Sequence, residues 1–102
     1  MSIKKKFLKT KPICKCTFKL PKEAVPNAVS VTLAGEFNDW KTEELPLKKL
    51  KSGDFKIELD LPIGSKYEYR YFVDHAIWIN DWAADEYHHI PDLNIDNSVI
   101  CL

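Results

Sequence analysis

The sequence predicts an all-β protein, an immunoglobulin-like β-sandwich of about seven antiparallel strands. Apolar and polar residues alternate strictly in several runs, a pattern typical of half-buried strands in an antiparallel sheet. Clusters of Gly, Pro, Ser and Asp separate these runs at short intervals. No window shows the sustained spacing of apolar residues that marks an amphipathic helix.

The alternating runs define the predicted strands in chain order. In the first strand the apolar positions are even and include both Cys14 and Cys16, and the run that starts at Phe55 is the cleanest. The predicted strands cover residues 14–20, 29–33, 45–50, 55–61, 67–73 and 98–102. Turn residues fall at 21–26, 52–54 and 62–65. The segment 82–87 has room for a helical turn or two at most.

Length and charge predict one domain that spans residues 1–102, with an N-terminal arm over about residues 1–11. A chain of 102 residues with 45% hydrophobic and 29% charged side chains can bury one core. Fifteen basic and fifteen acidic side chains leave no net charge. Because nucleic-acid binding needs an excess of basic residues, we expect no nucleic-acid partner. The Lys4-Lys5-Lys6 run is expected to be a solvated part of the arm.

The expected location is the cytoplasm. Lys9 and Lys11 interrupt the few apolar residues near the N-terminus, which do not form a signal peptide. No run approaches the roughly 20 apolar residues of a membrane span, so no membrane partner is expected. The cysteines Cys14, Cys16 and Cys101 are few and odd in number, which fits a reducing compartment.

Catalytic patterns are weak throughout the chain, and we expect no enzyme activity. The adjacent acidic pairs 43–44 and 85–86 point in opposite directions along an extended chain, which disfavours a paired-carboxylate glycosidase site. The sequence contains no Gly-x-Ser-x-Gly motif and no Gly-rich phosphate loop.

Metal-binding patterns are equally weak, and no cofactor is expected. Segment 92–97 resembles the start of a calcium loop, but Asn97 stands at the sixth position, where such a loop needs Gly. His88 and His89 are adjacent rather than spaced for one metal ion, and we expect both at the surface.

Two tryptophans lie just beyond the ends of predicted strands. Trp40 follows strand 29–33 and the turn at Gly35, and Trp78 follows strand 67–73. An exposed indole packs well against the C–H face of a pyranose ring. Arg70, on the polar face of strand 67–73, has a planar fork that suits two adjacent hydroxyls. The alternative is a tryptophan buried in the core, as is frequent in this fold.

Four segments resemble one known family. The runs LAGEFNDW (33–40), 55–61, YRYFVD (69–74) and DNSVI (96–100) occur in the order and near the spacing of the family-48 carbohydrate-binding modules. These modules include the glycogen-binding domain of the AMP-activated protein kinase β subunit and the early-set domains of isoamylases and branching enzymes. The likeness covers about residues 28–102 and implies an early-set immunoglobulin-like fold.

The resemblance also implies a set of binding residues. In the kinase-type modules an α-1,4-glucan lies across two tryptophans, aided by a basic residue and by a loop with Leu, Thr and Asn. The matching carbohydrate-binding positions here are Trp40, Arg70, Trp78, Leu93 and Asn97. The turn before Trp78 is one residue longer than usual, and Ile95 replaces the loop Thr, which removes one hydroxyl. Trp82 replaces a common Pro and is either an added stacking surface or a packing residue.

The function implied by the resemblance is non-catalytic binding of α-1,4-glucan. The expected partners are α-glucan polysaccharides such as glycogen and starch, maltooligosaccharides, and glycogen-metabolising enzymes. The alternative is an early-set protein-interaction module without working sugar binding, because some early-set domains act as structural spacers. A shared fold does not decide between the two.

Overall fold

The fold was obtained as a computed structural model that describes residues 1–102. It is all-β, with two antiparallel sheets packed face to face, which confirms the predicted sandwich. Its two helical segments are single 3-10 turns, far shorter than a helix that could cross a membrane. The strands are β1 (Ser2–Phe7), β2 (Ile13–Leu20), β3 (Val31–Gly35), β4 (Lys48–Lys49), β5 (Phe55–Pro62), β6 (Lys66–Val73), β7 (Ile77–Ile79), β8 (Glu86–Ile90) and β9 (Ile95–Cys101).

The first sheet has the strand order β1-β2-β5-β4. Strand β2 shows the predicted alternation, since its even-numbered side chains are buried and Lys15 and Lys19 are exposed. Strand β5 lies antiparallel to β2 along its whole length. Phe55 at its start and Leu61 near its end are buried, while Ile57 and Leu59 are half-buried against the core.

The second sheet has the order β3-β6-β9-β8, and β7 pairs with the last residues of β6. Tyr69, Tyr71 and Val73 point from β6 into the core, as predicted. The loop at 62–65 carries the chain from β5 in the first sheet to β6 in the second. The core between the sheets holds Cys14, Cys16, Phe18, Leu20, Val31, Leu33, Phe55, Leu61, Tyr69, Tyr71 and Ile100.

A buried carboxylate joins the end of β7 to this core. The side chain of Asp81 is fully buried, and its Oδ2 accepts hydrogen bonds from the hydroxyls of Tyr69 (2.9 Å) and Tyr71 (3.2 Å). The backbone N–H of Ala83 donates to the other carboxylate oxygen at 2.8 Å. Burial and the adjacent carboxylate raise the pKa of each of the two tyrosines well above the ordinary value for a tyrosine. Both hydroxyls therefore remain protonated donors.

The N-terminal segment, predicted as an arm over about residues 1–11, contributes a strand to the first sheet. Residues Ser2–Phe7 form β1, which lies antiparallel to β2 at the edge of the first sheet. Lys4 and Lys6 are exposed, as expected for this basic run. Lys5 instead lies 2.6 Å from an Asp85 carboxylate oxygen and donates to the carbonyl of Cys101 at 3.1 Å. These contacts connect the two sheets at one side of the sandwich.

Strand β3 contradicts the predicted alternation of 29–33. Val29 is 82% exposed and lies before the strand, whereas Thr32 and Ala34 are buried although they point away from the core. Each small side chain lies beside a larger partner on β6, since Thr32 pairs with Phe72 and Ala34 pairs with Arg70. The edge of β3 is also covered by residues 45–47, through backbone hydrogen bonds of 2.9 Å.

The C-terminal third contains more strand than predicted. Segment 82–87 forms no helical turn and instead leads into β8. Strand β9 begins at Ile95, three residues before the predicted start at Ser98. Strand β7 is only three residues long, too short for a period of two to be recognised.

Gly35 provides a stability test because β3 and β6 approach closely at this position. A Cβ atom on Gly35 would lie 2.7 Å from Tyr69 Cβ and would also collide with the Glu68 carbonyl. Both obstacles belong to the paired strand, so Gly35→Ala is expected to lower the free energy of unfolding by about 1–3 kcal/mol in urea titration. Ser65→Ala, in an exposed loop, is the control and should stay within about 0.5 kcal/mol of wild type. Equal stability of wild type and Gly35→Ala would contradict this packing.

Candidate functional site

A shallow depression of about 300 Å³ lies on the outward face of the second sheet. Tyr69 and Ser98 are paired and buried, so their neighbours Arg70 and Asn97 point outward from β6 and β9. All five residues predicted from the sequence line the depression, and two isoleucines complete it. The lining residues are Trp40, Arg70, Trp78, Ile90, Leu93, Ile95 and Asn97. Their roles in binding stay predictions.

The loop after β3 places Trp40 beside the sheet. Asp39 and Trp40 both have left-handed backbone conformations, with φ of 55° and 59°, which cost roughly 1–2 kcal/mol per non-glycine residue. The Trp40 N–H donates to the Gly35 carbonyl at 2.8 Å and closes the loop. The Asn38 carboxamide braces it, accepting from the Gly35 N–H and donating to the Lys41 carbonyl, each at 3.0 Å.

The turn between β6 and β7 places Trp78. Asp74 and His75 have φ values of 50° and 53°, and the Ala76 N–H donates to the Val73 carbonyl at 3.0 Å. The connection is therefore a tight loop of three residues, 74–76, across which Val73 pairs with Ile77. Trp78 therefore pairs with Phe72 and points to the same outward face.

The Asp74 carboxylate ties this turn to the start of β3. One carboxylate oxygen accepts hydrogen bonds from the backbone N–H groups of Val29 and Ser30, both at 2.8 Å. The bonds from Ser30 and then Val29 lower the pKa of Asp74 below its ordinary value of 3.8. The charged form of Asp74 therefore stabilises the turn that carries Trp78.

The two indoles form an angled pair at the surface. The ring centroids of Trp40 and Trp78 are 6.4 Å apart, and the ring planes meet at 67°. Trp78 is 40% exposed, and Trp40 is partly exposed. The Phe72 ring lies 4.5 Å from Trp78, at 33° to its plane, and covers one side of it. Neither tryptophan belongs to the buried core, which excludes the core alternative.

Arg70, which with Asn97 forms the far wall of the depression, is held in place by contacts to a backbone carbonyl. Its Nε and Nη2 atoms donate to the Asp96 carbonyl at 3.1 and 2.7 Å. The Asn80 amide donates to the same carbonyl at 2.7 Å, and its oxygen accepts from the Ser98 hydroxyl at 2.8 Å. The remaining guanidinium N–H groups, which make no hydrogen bond within the chain, are free to donate to a ligand.

Asn97 and Leu93 come from the β8–β9 hairpin. Leu93 is 66% exposed at the tip, whereas Asn97 is only 6% exposed, on β9. Asn97 Nδ2 donates to Glu68 Oε1 at 3.0 Å, and His88 Nδ1 lies 2.9 Å from the same oxygen. Burial alone would raise the pKa of Glu68, but the hydrogen bonds from Asn97 and His88 hold it below the ordinary value.

Several residues around the depression could not be found from the sequence. Ile90 pairs with Ile95 and shares its wall, but the alternation that would identify it is absent from the exposed strand β8. Phe72 covers one side of Trp78, and no sequence motif indicates this contact. Trp82 does not line the depression: it is 61% exposed, and its backbone N–H donates to Met1 Sδ at 3.2 Å.

A comparison with known protein families identifies the family of the chain. A family model described as "Glycogen recognition site of AMP-activated protein kinase" matches residues 25–93. The chain belongs to this family. The match to the glycogen-recognition family includes Trp40, Arg70, Trp78 and Leu93 and ends before Asn97. No curated protein matches the chain.

Membership in the glycogen-recognition family indicates glucan binding, and carbohydrate-binding modules of this kind are non-catalytic. The depression is apolar except for Arg70 and Asn97, which is the composition expected for a site that combines ring stacking with a few directed hydrogen bonds.

The Asp74 turn gives a pH-dependent prediction. Because the folded-state pKa of Asp74 is lowered, its stabilisation is complete above the ordinary value of 3.8 and is lost as the pH falls through the folded-state value. Asp74→Asn is expected to be less stable than wild type at about pH 6, and in urea unfolding the difference should shrink as the pH falls below 3.8. Asp92→Asn, at an exposed carboxylate without a hydrogen bond, is the control. A difference that does not shrink below pH 3.8 would contradict the prediction.

Proposed function

We propose that the chain binds α-1,4-glucan, as glycogen, starch or maltooligosaccharide, without catalysis. The observation that carries this proposal is the angled pair of surface indoles, Trp40 and Trp78, 6.4 Å apart across one depression. Membership in the glycogen-recognition family supports the substrate class. The expected cytoplasmic location and the association with glycogen-metabolising enzymes belong to the same proposal.

Stacking on the two tryptophans supplies most of the binding energy in this mechanism. A glucose ring packs its C–H face on an indole and leaves its hydroxyls at the edge. An α-1,4-linked chain curves from one glucose to the next, so consecutive rings meet two surfaces that are inclined to each other. The 67° angle between Trp40 and Trp78 suits such a curved chain better than two parallel rings would. Phe72 supports Trp78 from behind.

Hydrogen bonds at the far wall orient the sugar. The free guanidinium N–H groups of Arg70 can only donate, whereas the side-chain oxygen of Asn97 makes no hydrogen bond within the chain and can accept. A donor and an acceptor side by side suit two adjacent hydroxyls, one of which accepts while the other donates.

Three apolar side chains complete the contact surface. Leu93, Ile90 and Ile95 line the depression beside the polar pair. Ile95 adds an apolar contact where the resembling modules usually have Thr, at the loss of one hydroxyl. We therefore expect fewer hydrogen bonds to glucan than in those modules and a larger apolar contribution.

The expected affinity is modest. Stacking on one aromatic ring contributes roughly 1–3 kcal/mol, on the scale measured for nucleic-acid bases. After the cost of association, two rings and a few hydrogen bonds correspond to a Kd of about millimolar to tens of micromolar. Many equivalent chain ends on one polymer would raise the effective affinity for glycogen.

The composition of the depression supports a role without catalysis. Its seven lining residues include no Asp, Glu, His or Cys, whereas glycosidic bond cleavage requires a carboxylic acid on one side of the bond and a carboxylate on the other. Prolonged incubation with glycogen is therefore expected to release no new reducing ends.

The first test removes each indole in turn. Trp40→Ala and Trp78→Ala are each expected to abolish retention on amylopectin gels, because each deletes one stacking surface. The same variants should lose the change in tryptophan fluorescence that maltoheptaose produces in wild type. Trp82→Ala, which removes an exposed indole outside the depression, should be retained like wild type. Circular dichroism and thermal unfolding check that each variant remains folded.

Two results would contradict the proposal. A wild-type protein that is not retained on amylopectin and whose fluorescence is unchanged by maltoheptaose would favour the alternative, a protein-interaction module of early-set fold. Full retention of both Trp40→Ala and Trp78→Ala would show that glucan binds elsewhere.

A further inference from the structure

The Asn97 side chain donates a hydrogen bond to Glu68 that sugar binding alone does not explain. Asn97 is 6% exposed and lines the depression, and its side chain makes only one hydrogen bond within the chain, from Nδ2 to Glu68 Oε1 at 3.0 Å. Glu68 does not line the depression. It occupies the neighbouring outward position on β6, beneath the polar end of the site.

A carboxamide has two ends of nearly equal size and opposite hydrogen-bonding character. In an unconstrained asparagine, either the oxygen or the NH₂ group can face a ligand. An ionised carboxylate only accepts hydrogen bonds, so Glu68 pairs with the NH₂ end of Asn97 alone. The carbonyl oxygen of Asn97 is thereby left for the depression.

We propose that Glu68 is a positioning residue of the glucan site, which fixes the Asn97 carboxamide so that its oxygen faces the ligand. This inference rests on the proposed glucan-binding function. With Glu68 in place, the far wall presents a fixed acceptor from Asn97 beside a fixed donor from Arg70. Because the acceptor and the donor occupy fixed positions, they favour one direction of the glucan chain across the tryptophans.

Glu68 is itself held on three sides. Its backbone N–H donates to Glu36 Oε1 at 2.7 Å, in the loop that leads to Trp40. His88, the cross-strand partner of Asn97, places Nδ1 2.9 Å from Glu68 Oε1. Since the carboxylate oxygen can only accept, His88 carries its proton on Nδ1. The hydrogen bonds from Asn97 and His88 keep Glu68 ionised at neutral pH, and an ionised carboxylate is the form that orients the amide.

A double-mutant cycle tests whether Glu68 acts through Asn97. The variants are Glu68→Leu, Asn97→Ala and the double variant, and the measured quantity is the Kd for maltoheptaose from tryptophan fluorescence. Each single variant is expected to weaken binding by about 2- to 10-fold, the value of one hydrogen bond. The double variant should bind like Asn97→Ala alone, because the two substitutions remove the same contact.

Conservative and control variants separate positioning from general structural support. Glu68→Gln keeps an acceptor oxygen, which His88 can hold toward Asn97, but adds an NH₂ group, so its loss of affinity is expected to be smaller than that of Glu68→Leu. Glu86→Leu removes a carboxylate from the same face of the sheet, where Glu86 and Glu68 share the partner Val99. Glu86 contacts Lys66 and Cys101 rather than Asn97. Its substitution should leave the Kd unchanged, and thermal unfolding monitors folding in every case.

A spectroscopic measurement on wild type needs no variant. Addition of maltoheptaose is expected to shift the Asn97 ¹³Cγ resonance, because the carbonyl oxygen accepts a sugar hydroxyl. The Nδ2 proton bonded to Glu68 should keep its chemical shift. Large shifts of this proton with an unchanged ¹³Cγ would mean that the NH₂ end faces the sugar and would overturn the inference.

The outcomes distinguish this inference from the proposed function. Wild-type affinity in Glu68→Leu, or a loss in the double variant equal to the product of the two single losses, overturns the role of Glu68 alone. Absence of maltoheptaose binding by wild type overturns the proposed function and this inference together.

Discussion

Strand β6 imposes the constraint on which the rest of the structure depends, because it has the core on one side and the candidate site on the other. Tyr69 and Tyr71 pack inward and reach the buried Asp81, while the adjacent residues Arg70 and Phe72 face outward. The period of two therefore couples the register of the core to the geometry of the depression. A shift of β6 by one residue would bury a guanidinium and expose two tyrosines.

Two left-handed turns bring the tryptophans to this face. Each turn places non-glycine residues at positive φ, at 39–40 and at 74–75, and each is stabilised by a short polar side chain that bonds to nearby backbone groups. Asn38 has this role in the first turn and Asp74 in the second. Conformational strain at functional positions is tolerated where surrounding contacts hold it in place. The positions of the two tryptophans thus depend on hydrogen bonds that Asn38 and Asp74 make to the backbone.

Much of the fold follows from local alternation, whereas the site depends on contacts that are distant in sequence. The strict alternation in β2, β5 and β6 correctly predicted the sandwich, and the positional match to the family predicted five residues that line one depression. Alternation failed at β3, where Thr32 and Ala34 are buried beneath larger neighbours on the paired strand. It also failed at β8, whose residues are mostly exposed on both faces. Because β8 was not predicted, Ile90 was not identified as a residue that lines the depression. The link from Glu68 to Asn97 spans 29 residues of sequence and could not be predicted from either segment alone.

The inclined indoles have an optical consequence. The two identical indoles are 6.4 Å apart, with an angle of 67° between their ring planes. Their excited states therefore mix, and this coupling splits the absorption band into two components of opposite rotational strength. The folded protein should therefore carry a bisignate ellipticity signal in the far ultraviolet that vanishes when either ring is lost. This signal therefore reports whether the two indoles are correctly placed, before any sugar is added.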